Sequence, residues 1–449
     1  MRRLYAAEAY DATRSPDSHW LATAPPLAAE CRPLEDPVRC DVAVIGGGFT
    51  GLSAAHRLAQ THRRAVRLFE AGPIAWGASG RNGGFCCLGG SKLGHEAIAR
   101  RVGGEEARRF ADAQRAAIDH VAAFLDRVGV DADRHSRGEL VLAHKPSRLS
   151  ALRAEAAHLE SQFGVEAEVM DRAALEAVGV SGPEFHAGLH IPFGFALNPL
   201  TYARALAAAC AQAGVVLHPH SPVTDWRMDG GRHRLRVNGL PVVADRVVLA
   251  ANGYGSEDMP EWMAGRTLPA LSRILVTRPL TAAERAAQGW TSALMAQDSR
   301  RLLHYFRLLP DGRFLFGGRG GLAAGEAAAG RSHSRLRADF DRMFPGWAHV
   351  ETERSWSGFV CLSASLAPFI GALPDRPGAW TALAYHGNGV AMGSWSGARV
   401  ADLAAGVEGA EAAIPQLMRG PLKRFPASRM RLAALRAAYV AYGVADRFL

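Results

Sequence analysis

Three glycines, Gly46, Gly48 and Gly51, are spaced as G-x-G-x-x-G directly after the apolar run Val42-Ala43-Val44-Ile45 and before a helix-like stretch at 52–60. That spacing suits a dinucleotide. The first glycine permits a tight turn, the second lets the backbone approach a pyrophosphate, and the third lets helix and strand pack closely. The helix N-terminus beyond them offers free N–H groups and a partial positive charge to phosphate. Glu70 ends the next strand-like run, 65–70, and stands 19 residues after Gly51, where a carboxylate accepts from ribose hydroxyls. An acid at that point opposes a 2′-phosphate, so NADP is the least suitable occupant. Ala71 follows, and then a second glycine-rich stretch, Gly77-Ala78-Ser79-Gly80-Arg81-Asn82-Gly83-Gly84, for which a nicotinamide enzyme has no evident use.

The elements that must position these groups read as an α/β fold. Residues 42–45 are short, continuous and β-branched, as in a strand buried on both faces of a parallel sheet, and they open a strand–turn–helix–strand unit. Helical stretches at 96–128 and 147–162 flank a strand at 139–143, and a helix at 201–212 leads into a strand at 215–218. A hairpin at 226–243 turns at Gly230-Gly231 and Asn238-Gly239, and a buried strand at 246–251 ends in Asn252-Gly253. Residues 270–320 are β-rich, with strands at 302–309 and 313–317, and 329–344 are helical. A strand at 380–385, a glycine-rich turn and a helix at 394–405 close the pattern. Residues 1–37 are proline-dotted and predict an extended arm on the surface.

Composition excludes several classes. With 449 residues, 48% hydrophobic and 21% charged, the chain can bury a large core and is not a disordered polymer. The net charge of +9 comes from 52 basic residues, of which only Lys92, Lys145 and Lys423 are lysines. The arginines are spread rather than clustered, so no nucleic-acid partner is expected. Six cysteines without C-x-x-C spacing argue against a metal site or a disulfide framework and fit a reducing cytoplasm. No apolar run is long enough to span a membrane, and no apolar stretch follows the basic start as in a secretory signal.

On the G-x-G-x-x-G strand and the intact G-A-S-G-R-N-G-G loop, the chain resembles the D-amino-acid oxidase-like FAD-dependent oxidoreductases, above all the branch containing bacterial gamma-glutamylputrescine oxidoreductase. The arm Tyr10-Asp11-Ala12-Thr13 and the stretch Val248 to Tyr254 resemble that family's segments. So do His304 to Leu308 with Leu315 to Gly318, the Trp356-Ser357-Gly358 triplet and Ala384 to Val390. The resemblance implies a Rossmann-like FAD-binding domain with an inserted α+β, mixed-sheet substrate domain. The FAD lobe would comprise 38–90, 197–257 and 355–420, and the substrate lobe 91–196 and 258–354. An arm at 1–37 and an amphipathic C-terminal helix at 421–449 complete the division.

By the same resemblance, Ser79, Gly80, Arg81, Asn82, Gly83 and Gly84 lie along the FAD ribityl chain and pyrophosphate, while Val223 meets adenine. Ala250, Asn252 and Gly253 line the adenosine side, and Gly387, Asn388, Gly389 and Val390 close on the pyrimidine edge of the ring. The implied reaction passes hydride from the carbon beside an amine nitrogen to flavin N5. The imine then hydrolyses, and oxygen or another acceptor restores the flavin.

Amino-acid-oxidising relatives place an arginine shortly after W-x-G to grip a substrate carboxylate. Here that stretch reads Trp356-Ser357-Gly358-Phe359-Val360-Cys361, which favours a larger amine with a remote carboxylate or none. Arg307 is a candidate for such a carboxylate or a structural ion-paired arginine. Tyr305 is a candidate aromatic wall of the site; because it alternates with His304 on a strand, only one of the two can face the flavin. His386 is a candidate hydrogen-bond partner of flavin or substrate, or a turn histidine. Lys92 could promote oxygen reduction or be a surface lysine. Cys86, Cys87 and Cys361 read as buried and unreactive, so FAD is expected to be non-covalent. The basic, apolar C-terminal helix could touch a membrane surface or pack on the FAD lobe. Alternative activities are D-amino-acid or N-methyl-amino-acid oxidation, action on RNA side-chain amines, and flavin binding without turnover. Oligomeric state is not legible.

Overall fold

The computed structural model describes residues 1–448. Two eight-stranded sheets organise the chain. In the first, Val38–Ile45 lies at the centre of a parallel array, between Val66–Phe69 and Leu240–Leu249. Val216–His218 and Ala379–Leu383 extend the parallel order outward, with Phe369–Ala372 as an antiparallel edge. Val42, Val44, Leu68, Val247 and Val248 are fully buried, as strands covered on both faces must be. The hairpin turns at Gly230-Gly231 and Asn238-Gly239 form with positive φ at all four residues, and its first strand starts at Val223.

The second sheet is mixed. Met295–Asp298 runs parallel to Glu139–Ala143, whereas its other strand pairs are antiparallel. Paired residues share a face, so one face carries Leu140, Leu142, Leu275, Phe306, Phe314 and Phe316 into a core with Phe340, Phe344 and Trp347. The opposite face carries Glu139, Gln297, Tyr305, Gly317, Arg319 and Gly358 toward the first sheet.

Several expectations change. The expected domain boundary at 354/355 cuts the strand Thr352–Ser363, which pairs along its length with Thr267–Thr277 in the second sheet. The expected helix at 96–128 divides at Gly103, whose φ of +88° separates His95–Val102 from Gly104–Val128. Gly104–Val128 was assigned to the substrate lobe, yet its apolar face packs with the nucleotide-side helices. Phe124 lies edge-on to Tyr202 at 5.9 Å, within the cluster that holds Leu52, Leu58 and Val400.

The arm is not a surface strand. Ser18 caps the short helix His19–Thr23 through Leu21 N–H, and Trp20 is driven into the core at 2% exposure. Tyr5, Tyr10 and Leu34 are buried as well, because an arm this rich in aromatic surface gains more by packing than by lying in water.

The C-terminal helix spans Arg431–Phe448 and packs on the second sheet, with Leu435 against Leu268 and Ala270 of the strand Thr267–Thr277. Near its end the Asp446 carboxylate accepts from Arg301 N–H at 2.8 Å and Leu302 N–H at 2.9 Å. Among the described residues no helix is long and apolar enough to cross a membrane.

Candidate functional site

Between the sheets lies an elongated cavity of about 500 Å³. At one end the G-x-G-x-x-G turn is built as its glycines demand. Gly46 has φ +111° and donates its N–H to Phe69 O at 2.9 Å. A Cβ on Gly51 would fall 1.9 Å from Gly46 O, so only glycine lets the helix Phe49–Gln60 approach the turn this closely. Gly48 caps that helix, and a Cβ there would meet Ser79 Oγ at 2.7 Å. Ser79 Oγ accepts from Phe49 N–H at 2.9 Å, tying the second glycine-rich loop to the first. The Glu70 carboxylate accepts from Gly47 N–H at 2.6 Å and Gly72 N–H at 3.1 Å. Burial outweighs those bonds and raises its pKa.

Gly46, Gly48, Glu70, Ala71, Val223, Ala250 and Asn252 line the cavity, as do Ser79, Arg81, Asn82 and Gly83. His386, Gly387, Asn388, Gly389, Val390 and Tyr305 line it as well. Four residues of the expected cofactor set, Gly51, Gly80, Gly84 and Gly253, lie outside the cavity lining. Gly51 faces Gly46, and Gly80 folds over Ala75 O. Gly84 sits where a Cβ would be 2.0 Å from Leu197 O, and Gly253 lies under the Phe359–Cys361 strand segment.

Arg307 also lies outside the cavity lining. It is fully buried, with Nε donating to Gly83 O at 3.0 Å and Nη2 to Leu197 O at 2.7 Å. Nη1 donates to His135 Nε2 at 2.9 Å. Burial and the guanidinium push the His135 pKa down to about 4, which keeps that nitrogen an acceptor. Burial pushes the guanidinium itself down to about 9. Two indoles do similar work: Trp20 donates to Asn82 O and Trp356 to Arg81 O, each at 2.8 Å. The consecutive carbonyls of Arg81, Asn82 and Gly83 are thus each held from outside the loop by a different side chain.

Tyr305, not His304, faces the cavity. Its ring crosses Gly83 and Gly317, where a Cβ would fall 2.9 Å and 2.2 Å from it, and its hydroxyl pairs with Ser272 Oγ at 2.9 Å. His304 points into the opposite core, stacked on Phe316 and bonded to Asp298 at 2.8 Å. His386 contacts Ser363 Oγ through Nε2 at 3.2 Å, and its pKa is pushed down to about 4 by burial and then by Lys92.

Asn388 donates to Leu88 O at 2.6 Å. Asn388 Oδ1 and His386 Nδ1 are buried without partners, and Gly387, at φ +111°, has open space where a Cβ would stand. Buried polar atoms left unpaired beside an open cradle fit a large polar ligand such as FAD.

Glu139, Gln297 and Arg319 are among the lining residues outside the expected site. Glu139, 3% exposed, lies against Cys87 with one carboxylate oxygen unpartnered, and burial raises its pKa to about 7. Gln297 and Arg319 reach the cavity from neighbouring strands. An acid in an otherwise apolar strand, Glu139-Leu140-Val141-Leu142-Ala143, was the available signal for the first. Lys92 does line the cavity, and its charge acts on His386.

Residues 41–403 match the model of the family described as FAD dependent oxidoreductase. The chain is 30% identical over 413 residues to the probable oxidoreductase OrdL of Rhizobium meliloti (strain 1021), covering 91% of this chain and 93% of that one. It is 27% identical over 419 residues to gamma-glutamylputrescine oxidoreductase of Escherichia coli (strain K12), covering 92% and 94%. Among solved structures, glycine oxidase from Geobacillus kaustophilus superposes with a TM-score of 0.65 at 21% identity, covering 82% of this chain and 94% of that chain. The chain belongs to the FAD-dependent oxidoreductase family and shares the glycine oxidase fold.

Proposed function

We propose that this FAD-dependent oxidoreductase oxidises the carbon–nitrogen bond of an amine larger than a simple α-amino acid, of the gamma-glutamylputrescine kind or a related primary or secondary amine. The observation that carries the reading is Val360. It lines the cavity together with Gly358, Phe359 and Cys361, so the lining segment past W-x-G carries no cation of its own where an α-carboxylate would need one. Likeness to gamma-glutamylputrescine oxidoreductase over 92% of the chain supports the same substrate class.

FAD, when bound, supplies the two-electron acceptor for the hydride that leaves the carbon beside nitrogen. The chain's own residues prepare the amine. Tyr305 forms a rigid aromatic wall, fixed by Ser272 and wedged between two glycines. Glu139, buried and half-neutral near pH 7, is matched to taking the proton that an incoming ammonium must lose before its nitrogen can assist hydride departure. Water then hydrolyses the imine to a carbonyl compound and an amine, and oxygen or another acceptor takes the electrons. FAD is held non-covalently in this reading.

The test is anaerobic mixing of the yellow holoenzyme with gamma-glutamylated amines, simple alkylamines and free amino acids, following the visible flavin band. Bleaching by the first group ahead of the amino acids is expected. Bleaching by free α-amino acids alone, or by nothing in the panel, refutes the proposal.

A further inference from the structure

Two cations enter the cavity without a counter-ion. Arg319 ends the strand Phe314–Arg319, two residues past Gly317 and on the same face, and Lys92 follows Gly89-Gly90 along the cavity rim. Among the described residues neither side chain has a hydrogen bond, ion pair or ring contact. Other arginines of this chain find acids readily: Arg300 meets Asp298, Arg313 meets Glu353 and Arg278 meets Glu284. Solvent reaches Lys92 through the mouth, yet desolvation and then the charge of Arg319 bring its pKa down to about 8, and no carboxylate opposes them. Two like charges facing one another in a partly desolvated cleft destabilise each other, and an anion placed between them reverses the sign of the interaction.

The two cations act on groups other than the fingerprint turn. Ser79 Oγ is committed to Phe49 N–H of the fingerprint helix, whereas the Lys92 charge acts on His386. Arg319 acts both on Tyr305, the aromatic wall, and on Tyr439 of the C-terminal helix. Its Cα is displaced about 7 Å along the strand from Gly317, against which the Tyr305 ring lies. A carboxylate held there lies well away from the nitrogen being oxidised, whereas Val360 occupies the wall where an α-carboxylate would have to be gripped.

We propose that Lys92 and Arg319 together form an anion-recognition site that holds a carboxylate carried by the amine substrate several bonds from the oxidised carbon–nitrogen bond. The inference rests on the amine-oxidising reading above. It makes the substrate class an ω-amino acid or an amine bearing a remote carboxylate.

The holoenzyme tests this with 6-aminohexanoate and hexylamine, which differ in the carboxylate, and with glutarate, an anion that has no amine. Wild type should favour 6-aminohexanoate by at least about tenfold in kcat/KM, and saturable glutarate binding should perturb the flavin spectrum. Lys92→Met and Arg319→Met, compared at equal flavin content, should each lower that preference about 10- to 100-fold, through KM, and weaken glutarate to the same degree. Lys92→Arg and Arg319→Lys should restore most of both. A preference and a glutarate affinity that survive both methionine variants overturn the site. So does a Lys92→Met variant whose only defect is slower reoxidation by oxygen. Glutarate binding that follows the variants, in an enzyme whose flavin no amine bleaches, retains an anion site and overturns the amine reaction instead.

Discussion

Replacing Arg307 with methionine distinguishes an arginine that positions the flavin loop from one that binds substrate. Methionine keeps much of the buried aliphatic volume and removes every donor. Gly83 O and Leu197 O then lose partners now at 3.0 and 2.7 Å, and His135 Nε2 loses its donor. A buried carbonyl left unpaired costs about 1–3 kcal/mol, so the two cost about 2–6 kcal/mol. Removing a desolvated guanidinium offsets part of this, leaving a net loss of about 2–4 kcal/mol.

In a chain of this length, melting temperature moves only about 1 °C per kcal/mol, so cofactor retention is the sharper readout. About 1.4 kcal/mol expressed in the loop at Gly83 raises the FAD dissociation constant about tenfold. The assay is FAD binding to the apoprotein by flavin fluorescence, together with the temperature of FAD release. Arg307→Lys should fare little better, because a single ammonium cannot span both carbonyls and the imidazole. Wild-type FAD affinity in Arg307→Met, with the defect confined to substrate KM, would refute the positioning role and return Arg307 to the substrate.

Two further outcomes follow from burial. His120, His135 and His386 each have a pKa pushed down to about 4, by burial first. Between about pH 6.5 and 4 the unfolded chain binds protons that the folded chain refuses, so the stability these groups provide is present above pH 6.5 and lost as pH falls toward 4. Glu139 acts in the opposite sense: its pKa is raised to about 7, so the folded state holds a proton that the unfolded state releases, and that contribution is lost as pH rises from about 4.5 to 7. Lowered histidines outnumber raised carboxylates, which predicts net acid lability, read as a falling FAD-release temperature from pH 6.5 to 4.5; a flat or rising profile contradicts it. Cys361 and Cys87 reach the cavity, but burial raises the first thiol to about 12 and the second well above its ordinary value, so neither offers a thiolate for linkage to the ring. Acid precipitation should therefore leave all the flavin in the supernatant, and yellow colour retained in the washed pellet would show a covalent bond.

What was legible in the sequence was whatever a local stretch of backbone imposes on itself. The fingerprint glycines are forced by contacts within a few residues, as at Gly51 and Gly46, and the alternation of His304 and Tyr305 follows from the pleat. Even the hairpin turns announce themselves by residues that tolerate positive φ. What was not legible depends on partners distant in the chain. Arg307 is 224 residues from Gly83, Trp356 is 275 from Arg81, and Lys92 and Arg319 approach one cavity from distant parts of the chain. No periodicity or spacing encodes such meetings. The arm and the C-terminal helix were misplaced for the same reason, because amphipathic patterning says that a face is buried without saying against what.

The glycine-rich loop makes the division physical. A loop that must turn its N–H groups toward a ligand turns the matching carbonyls away from it, into the protein, where each needs a donor. Glycines cannot supply one, and Asn82, already bonded to Ala78 O, Ser79 O and Gly84 N, is fully used within the loop. Donors must therefore come from elsewhere, and they do, from Trp356, Trp20 and Arg307 in turn. Burying an arginine and placing a tryptophan in a proline-dotted arm look anomalous in the sequence. In the fold they are the complement of the glycines, since a loop without side chains of its own is held in shape only by side chains borrowed from other segments.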